Sequence, residues 1–490
     1  MTRINMAKIK SYTFLIKPFL VFCILYTIAF LGIIFAHVNY VDDLGRSMFG
    51  YTEWNNFGRY ASTGLSYILH TGHYLADISP LGQLIAVVFL SAASTIAIYI
   101  LIQKQQFAPS HYIAGLLIGV SPYFLECFSY KFDSPYMALS ILASFLPLLF
   151  YKRTGKNYVF HIVSFLCGIL MCTTYQAASG IYFIFIGLLM FNDFVSNRTS
   201  FKKAFLVFIT QCCPFLLGII FYKIIMMPSI TDAIYISNTI PSLANFIPNL
   251  FRNLKDYYHN VDFDFCMLWK ALIALILGSF VIIPAIKTKK ILMLLYSFLM
   301  LSFIAVANFG FYVVLEKPLF APRAMYGCCA SLGLISILLV DWIGKKILLN
   351  LPIYGIAWCF LVFAFIYGNV LIGQARWDEF RVNMTLSTLT AHNILNDSIE
   401  SVSFNGTAGH APEIKNTLEK YPILKRLVFI SYAGDGWIWG TAKICNYYGL
   451  NIESNNCIAN TDYNIDNPKE LRTYYDNILY NDRKIIINLK

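Results

Sequence analysis

The run PFLVFCILYTIAFLGIIFA, Pro18 to Ala36, is followed almost at once by NYVDDLGRSMFG, Asn39 to Gly50. The first stretch is uncharged and close to the roughly 20 residues that cross a bilayer. No small-residue cleavage site follows it, so it reads as a retained signal-anchor. The second stretch puts two carboxylates, Asp42 and Asp43, where a span should end, with Arg46 one turn on.

The same alternation of apolar run and polar connection recurs along the chain. Of its 490 residues, 58% are hydrophobic and 13% charged, against roughly 25% charged in a soluble domain. Eleven spans are expected, near 18–36, 80–102, 109–125, 136–151, 157–174, 177–194, 204–226, 267–286, 291–310, 325–343 and 348–372. The formal charge of +11 does not point to nucleic acid, because the basic residues sit in short connections. Arg3, Lys8, Lys10 and Lys17, then Lys104, then Lys152, Arg153 and Lys156, then Arg198, Lys202 and Lys203, then Lys287, Lys289 and Lys290, then Lys345 and Lys346 fall on one side. The positive-inside rule makes that side cytoplasmic. Asp42, Asp43, Glu53, Asp77, Glu126, Asp133, Asp232, Asp256, Asp262, Asp264 and Glu316 fall on the other, and an odd number of spans puts the C-terminus there too.

Residues 1–373 therefore form a polytopic α-helical membrane domain, and 374–490 a small extracytoplasmic α/β domain with strands expected at Ser401–Phe404, Leu427–Tyr432 and Lys484–Leu489. That domain holds Cys445 and Cys457, which can pair in an oxidising compartment, although spacing does not establish it. No cysteine or histidine spacing suits zinc, and the cysteines within spans are small core residues. Two connections on the acidic side are amphipathic. Trp54, Phe57, Ala61, Leu65 and Ile68 stand at helical spacing against Arg59, Ser62, Thr63, Ser66 and His70, and a second pattern covers Ile240–Tyr258. Both suit helices lying in the membrane interface, for packing or for handling lipid.

Charged groups at membrane depth are costly and usually functional. The acidic side offers Asp42–Asp43, Asp77, the turn ECFSYKFDSP with Glu126, Lys131 and Asp133, the turn TTYQAAS with Tyr175 and Gln176, LEKPLFAPRAMYG with Glu316, Lys317, Arg323 and Tyr326, and QARWDEF with Arg376, Asp378 and Glu379. A glycosidase needs two carboxylates, because its leaving alkoxide must be protonated. A transferase that uses a polyprenyl-phosphate sugar expels a phosphate, stable as an anion, and needs one carboxylate base plus cations. Neighbouring residues point different ways, so Asp42 and Asp43 would divide the work, one as base and the other orienting substrate or fixing the loop. Structural readings stay open beside this. Asp42 can cap a helix starting at Leu44, Lys131 and Asp133 can pair locally, Arg323 can anchor at the interface, and Tyr175–Gln176 can satisfy a tight connection.

NYVDDLGRSMFGY, the W-x-x-x-G-R of Trp54, Gly58 and Arg59, DISPLGQ at Asp77–Gln83, SYKFDSPYMAL, TTYQAASGIY and PRAMYG, in this order, resemble the glucosyl transferase II family of bacterial O-antigen modification. The resemblance implies a GT-C type fold in the bacterial inner membrane and serotype-converting activity. Its donor would be undecaprenyl-phosphate glucose, and its acceptor a sugar, commonly rhamnose, of lipid-linked O-antigen on the periplasmic face. It implies a flippase and a bactoprenol glucosyltransferase as pathway partners. An acidic motif in the first outer loop of GT-C enzymes maps to Asp42 and Asp43 as catalytic residues. Lys131, Arg323 and Arg59 would take the donor phosphate, and Asp77, Glu126, Asp133, Tyr175, Gln176 and Tyr326 would contact substrate. No cofactor is implied; GT-C members differ in metal use, and without clustered ligands metal independence is favoured. Two other classes fit the composition. A membrane O-acetyltransferase would need an acyl-transfer group, with His37, His70 and His73 as candidates, and a polysaccharide or lipid transporter would be expected to show internal repeats, which are not evident.

Overall fold

The computed structural model describes residues 13–152, 157–227, 239–344, 346–396, 398–434, 457–459 and 465–490. Among the described residues, six helices are long and apolar enough to cross a membrane: Thr13–Ala36, Leu81–Ile102, Gln176–Val195, Phe201–Met226, Met267–Thr288 and Ile347–Ala391. Four shorter apolar helical stretches, Ser134–Phe150, Tyr158–Thr174, Leu292–Ala307 and Gly327–Ile343, lie at other expected spans. The chain is thus a helical membrane protein with a small C-terminal sheet.

The expected third span is not one helix. It divides into Pro109–Leu116 and Pro122–Ser129. Ser121 is extended (φ −144°, ψ 149°) and its hydroxyl accepts the Phe124 N–H. Pro122 has no N–H to give, and the residue before a proline is driven from the helical region. Such a break within an apolar bundle is tolerated because it is wrapped in protein: residues 117–125 are all buried.

The two sets of connections lie at opposite ends of the bundle. At the basic end, the Lys104 ammonium meets Asp341 at 2.6 Å, and Asn192 bridges the Leu101 carbonyl (3.0 Å) and the Trp342 indole N–H (2.9 Å). At the other, acidic end, the connections carrying Asp42, Arg59, Lys131, Gln176 and Arg323 interlock. Two glycines allow this. A Cβ at Gly368 would collide with the Gly32 backbone, so the first and last spans touch main chain to main chain. A Cβ at Gly82 would sit 2.8 Å from the Lys131 carbonyl oxygen, so only glycine lets that turn close over the second span.

Both amphipathic segments are helical, and both turn polar residues inward. In Tyr60–Leu69, Ser62, Thr63 and Ser66 are buried while Ile68 is exposed. In Leu243–Asp264, Asn249, Asn253, Tyr257 and Asp264 are buried, and Leu243, Ile247 and Phe251 are bare one turn apart. Apolar side chains facing outward beside a membrane bundle suit helices lying in the interface.

The last helix runs on through the expected boundary at 373/374 as Leu351–Ala391. Its far end carries a five-stranded sheet of β1 (Ser401–Asn405), β2 (Cys457–Ala459), β3 (Lys469–Arg472), β4 (Asp476–Tyr480) and β5 (Lys484–Leu489), in the order β2-β1-β5-β4-β3. β1 is parallel to β2 and β5, while β5, β4 and β3 form an antiparallel meander. Val402, Phe404, Ile478, Ile485 and Ile487 make one core with Val382 and Leu389 of the helix. The buried Arg381 guanidinium locks the two together, donating to Ala408 O, Lys490 O, Tyr475 O and Asp476 Oδ1 at 3.0–3.2 Å.

The strand expected at Leu427–Tyr432 is not formed. A short helix, Leu424–Leu427, leads into chain that meets the sheet side through a Thr407–Ala433 bridge and through Tyr432, which is buried in the core of the sheet. Ile423, Leu424, Leu427 and Val428 are spaced as one helical face, and that face is buried in the core of the spans, together with Ala411, Ile414 and Leu418. The chain therefore leaves the bundle at the end of the last helix, starts the sheet, and returns to roof the acidic end. The expected Cys445–Cys457 pairing involves a residue, Cys445, that lies outside the described residues.

Candidate active site

The first polar connection is held open by backbone rather than by side-chain capping. Val41 takes φ 48°, and helix Asp42–Phe49 begins with no side-chain cap hydrogen bond, ending at Gly50 with φ 66°. Asp43 is fully buried. Its Oδ2 accepts the N–H groups of Tyr40 (3.2 Å) and Lys131 (2.8 Å), and its Oδ1 accepts that of Phe132 (3.3 Å). Both oxygens are committed to clamping the 39–50 connection onto the 130–133 turn. Asp42, half-buried, makes no hydrogen bond to any described residue. Burial raises both carboxyls above their ordinary range. Asp43 is pushed up to about 8 against the pull of the Lys131 amide, and Asp42 rises although the Arg46, Arg323 and Arg59 charges draw it down.

Lys131 and Asp133 do not pair with each other. Asp133 takes the Arg46 guanidinium on one oxygen and the Trp54 indole N–H on the other at 2.5 Å, and Arg46 stacks over Trp54 with its Cζ 4.6 Å from the ring centre. The buried Lys131 ammonium reaches the other way, to Asn39 Oδ1 (2.9 Å) and Asp77 Oδ2 (3.0 Å). Burial pushes the Asp77 carboxyl up, but the Ser79 hydroxyl and amide and the Lys131 charge outweigh it and leave the pKa below the ordinary value. Lys131 and Asp77 thus form a strut, and this expected phosphate ligand is already paired with a carboxylate.

The other two cations stay near Asp42. Arg323 is pinned by Glu126, whose carboxylate accepts both its backbone N–H and its Nη1 at 2.6 Å, and its Cζ lies 5.5 Å from the centre of the Tyr130 ring. Arg59 donates from Nε to Gln176 Oε1 (3.4 Å) and lies over Tyr175, 4.6 Å from the ring centre. Gln176 in turn donates to Phe57 O and Tyr222 Oη at 2.9 Å each. The two terminal guanidinium nitrogens of Arg59 have no partner among the described residues. Tyr326 lies near-parallel to Tyr175 and meets Ser140 at 3.4 Å. The hydroxyls of Tyr130 and Tyr175 are buried without a hydrogen-bond partner among the described residues. An orphan buried hydroxyl is a standing cost of about 1–3 kcal/mol, and a polar ligand at these positions would remove it.

The arrangement is one uncommitted carboxylate, two guanidiniums beside it, and two hydroxyls awaiting partners. Glu126, Asp133 and Asp43 neutralise and orient; they do not present free oxygens in pairs. Among the described residues, no three His, Cys, Asp or Glu side chains gather as a metal-binding group. Sequence reasoning left out of its site set Arg46, although it stands one turn from Asp42, and also Asn39, Trp54 and Tyr130. It had no signal for Arg426. This residue, arriving from the returning segment, pairs with the buried Asp264, which also accepts the Tyr123 hydroxyl at 2.9 Å, and donates to Phe320 O three residues before Arg323.

A many-spanned helical chain with acids and guanidiniums interlocked at one end is an integral membrane protein with a polar cluster at one end of its bundle. The family model described as Glucosyl transferase GtrII matches residues 31–332 of the chain's 490, more than half of it. The chain belongs to that family and is a glucosyltransferase by membership. A relative from Salmonella phage P22, described as an uncharacterized 55.3 kDa protein in the gtrB 5′ region, is 26% identical over 442 residues, covering 86% of this chain and 88% of the relative. No solved structure matches the chain.

Proposed function

We propose that the protein moves glucose from undecaprenyl-phosphate glucose to a sugar of lipid-linked O-antigen, on the periplasmic face of the bacterial inner membrane. The observation that carries this reading is the free Asp42 carboxylate beside Arg59 and Arg323. Asp42 takes the proton of the acceptor hydroxyl; the oxygen attacks the anomeric carbon, and the bond from that carbon to the phosphate oxygen breaks. Polyprenyl phosphate leaves as an anion, neutralised by the two guanidiniums, so no acid is required at the leaving group. The Tyr130 and Tyr175 hydroxyls offer partners to phosphate or sugar oxygens. Asp77, Glu126, Asp133, Lys131, Gln176 and Tyr326 hold this arrangement. Family membership supports glucosyl transfer, and the phage relative's place in a gtrB 5′ region agrees with the O-antigen setting. The C-terminal sheet then lies in the periplasm, and the partners are the bilayer, a flippase and a bactoprenol glucosyltransferase.

The deciding assay uses purified protein, radiolabelled polyprenyl-phosphate glucose and lipid-linked acceptor. Label should pass to the acceptor, with inverted anomeric configuration. Retention needs a nucleophilic carboxylate with a second carboxyl about 5–5.5 Å away, whereas every other carboxylate around Asp42 is engaged with N–H donors. No transfer, or a product of retained configuration, would reject the mechanism.

A further inference from the structure

A cavity of about 240 Å³ opens beside this cluster, between the end of the first span, the last helix and the returning C-terminal segment. Its polar lining comes from His37, Asn39, Asp378, Glu379 and Ser431, and its aromatic lining from Tyr40 and Phe429. Among the described residues that line it there is no lysine or arginine, so it offers no guanidinium or ammonium to a phosphate. An exposed carboxylate, Glu379, with the Asn39 amide and two aromatic rings, matches a neutral polyol: sugar hydroxyls donate to the carboxylate, and the C–H face of a sugar ring packs on the aromatics. The volume falls below the roughly 300–1,000 Å³ of drug-sized sites, which suits one pyranose rather than an oligosaccharide.

The cavity is built rather than left over. Asp378 is buried and fixed by the Ser431 N–H and hydroxyl, both at 2.7 Å, and by Gln374 at 2.8 Å. Tyr40 is fixed by its hydroxyl on Leu427 O at 2.8 Å. Glu379 is exposed at the rim. The cavity also adjoins the chemistry: Asn39 holds Lys131, and the Tyr40 N–H is bonded to Asp43, the neighbour of Asp42.

We infer that this cavity is a subsite for a neutral sugar of the acceptor glycan, adjacent to the sugar that receives glucose, and that the C-terminal segment contributes to it through Phe429 and Ser431. The inference rests on the proposed glycosyl transfer. Its test is binding, which does not depend on turnover: saturation-transfer NMR and titration of the detergent-solubilised full chain with delipidated host O-antigen oligosaccharide. The wild type should bind. Ala375→Phe, which fills the cavity from the last helix, should abolish binding. Glu379→Gln, at an exposed position that does not threaten folding, should weaken it by about tenfold, as expected for a hydrogen bond to a charged group. In the transfer assay both variants should raise the acceptor KM and leave the donor KM within about twofold, a change too small to represent a lost hydrogen bond. Oligosaccharide binding that Ala375→Phe abolishes, in a protein that transfers no glucose, would sink the functional reading and leave the subsite standing. Equal binding by wild type and Ala375→Phe, or no binding by wild type, would overturn the subsite. Should Ala375→Phe fail to fold, an unchanged dissociation constant for Glu379→Gln overturns it instead.

Discussion

At the scale of single residues, two adjacent aspartates have unlike surroundings and should fail differently. Asp42→Asn keeps the shape, loses no hydrogen bond to a described residue, and cannot take a proton. Transfer per folded molecule should fall roughly 100- to 10,000-fold with the melting temperature in detergent unchanged. Asp43→Asn turns one acceptor oxygen into a donor facing N–H groups of Tyr40, Lys131 or Phe132. It should cost about 1–3 kcal/mol of stability, seen as a lower melting temperature, with a smaller loss of rate in the molecules that remain folded. Were Asp42→Asn near wild type in rate, Asp42 would not be the base. A pH profile separates the cases further. Burial raises the Asp42 pKa above its ordinary 3.8. A base acts in its ionised form, so the raised pKa keeps the inactive protonated form populated to higher pH. kcat/KM should therefore decline on the acid side along a unit-slope limb centred above the ordinary aspartate value. An acid limb at or below that value would count against Asp42.

At the scale of elements, the returning helix Leu424–Leu427 acts through one ion pair. Asp264 is wholly buried and Arg426 partly so, and the same guanidinium steadies Phe320 O in the connection that carries Arg323. Removing one member of a buried pair typically costs 3–5 kcal/mol, whereas replacing both by apolar groups of similar volume is often neutral. Arg426→Ala should thus lower the melting temperature sharply, and Arg426→Met with Asp264→Leu should restore most of it. If the double variant were no more stable than Arg426→Ala, the pair would not be the origin of the loss. None of this was legible in the sequence, because 162 positions separate the partners. The helical membrane character and the long apolar helices were legible, since apolar runs of bilayer length have few other uses. Even the broken third span carried its cause on its face, in Ser121–Pro122. The acids were legible as a set on one side, but not their division of labour: Asp133 is drawn to Trp54 across 79 positions, and Lys131 to Asp77 across 54. In the C-terminal region β1 and β5 show as apolar runs, but KELR is short and polar and DNILY carries only three apolar residues, and they become β3 and β4 by pairing, β4 on β5 and β3 on β4. Leu427–Tyr432 misled because an apolar run of that length fits a strand and a buried helix turn equally.

At the scale of the molecule, the two ends differ in charge, and a bilayer converts that difference into orientation. Reporter fusions after Lys156 and after Trp377 should report opposite compartments, the first with the basic connections and the second with the acidic ones. The same side for both would overturn the arrangement. The continuity of helix Leu351–Ala391 and the return of Ala411–Val428 to the core of the spans carry a second consequence. The membrane part is not complete at Gly373. Ile414, Leu418, Ile423, Leu424 and Leu427 are each 5% exposed or less and lie among side chains of the bundle. Fully burying one such side chain is worth about 1.5–3 kcal/mol, and a domain is stable by only about 5–15 kcal/mol. Deleting the five together removes about 7.5–15 kcal/mol, comparable to that whole margin. A chain ending at Gly373 should therefore be lost from the membrane fraction, or elute as aggregate from detergent size exclusion. A chain ending after Gly434, which removes β2–β5 but keeps the roof, should survive in larger amount. Accumulation of the shorter chain as a monodisperse, transfer-competent protein would show that the returning segment is an accessory to the bundle rather than part of it.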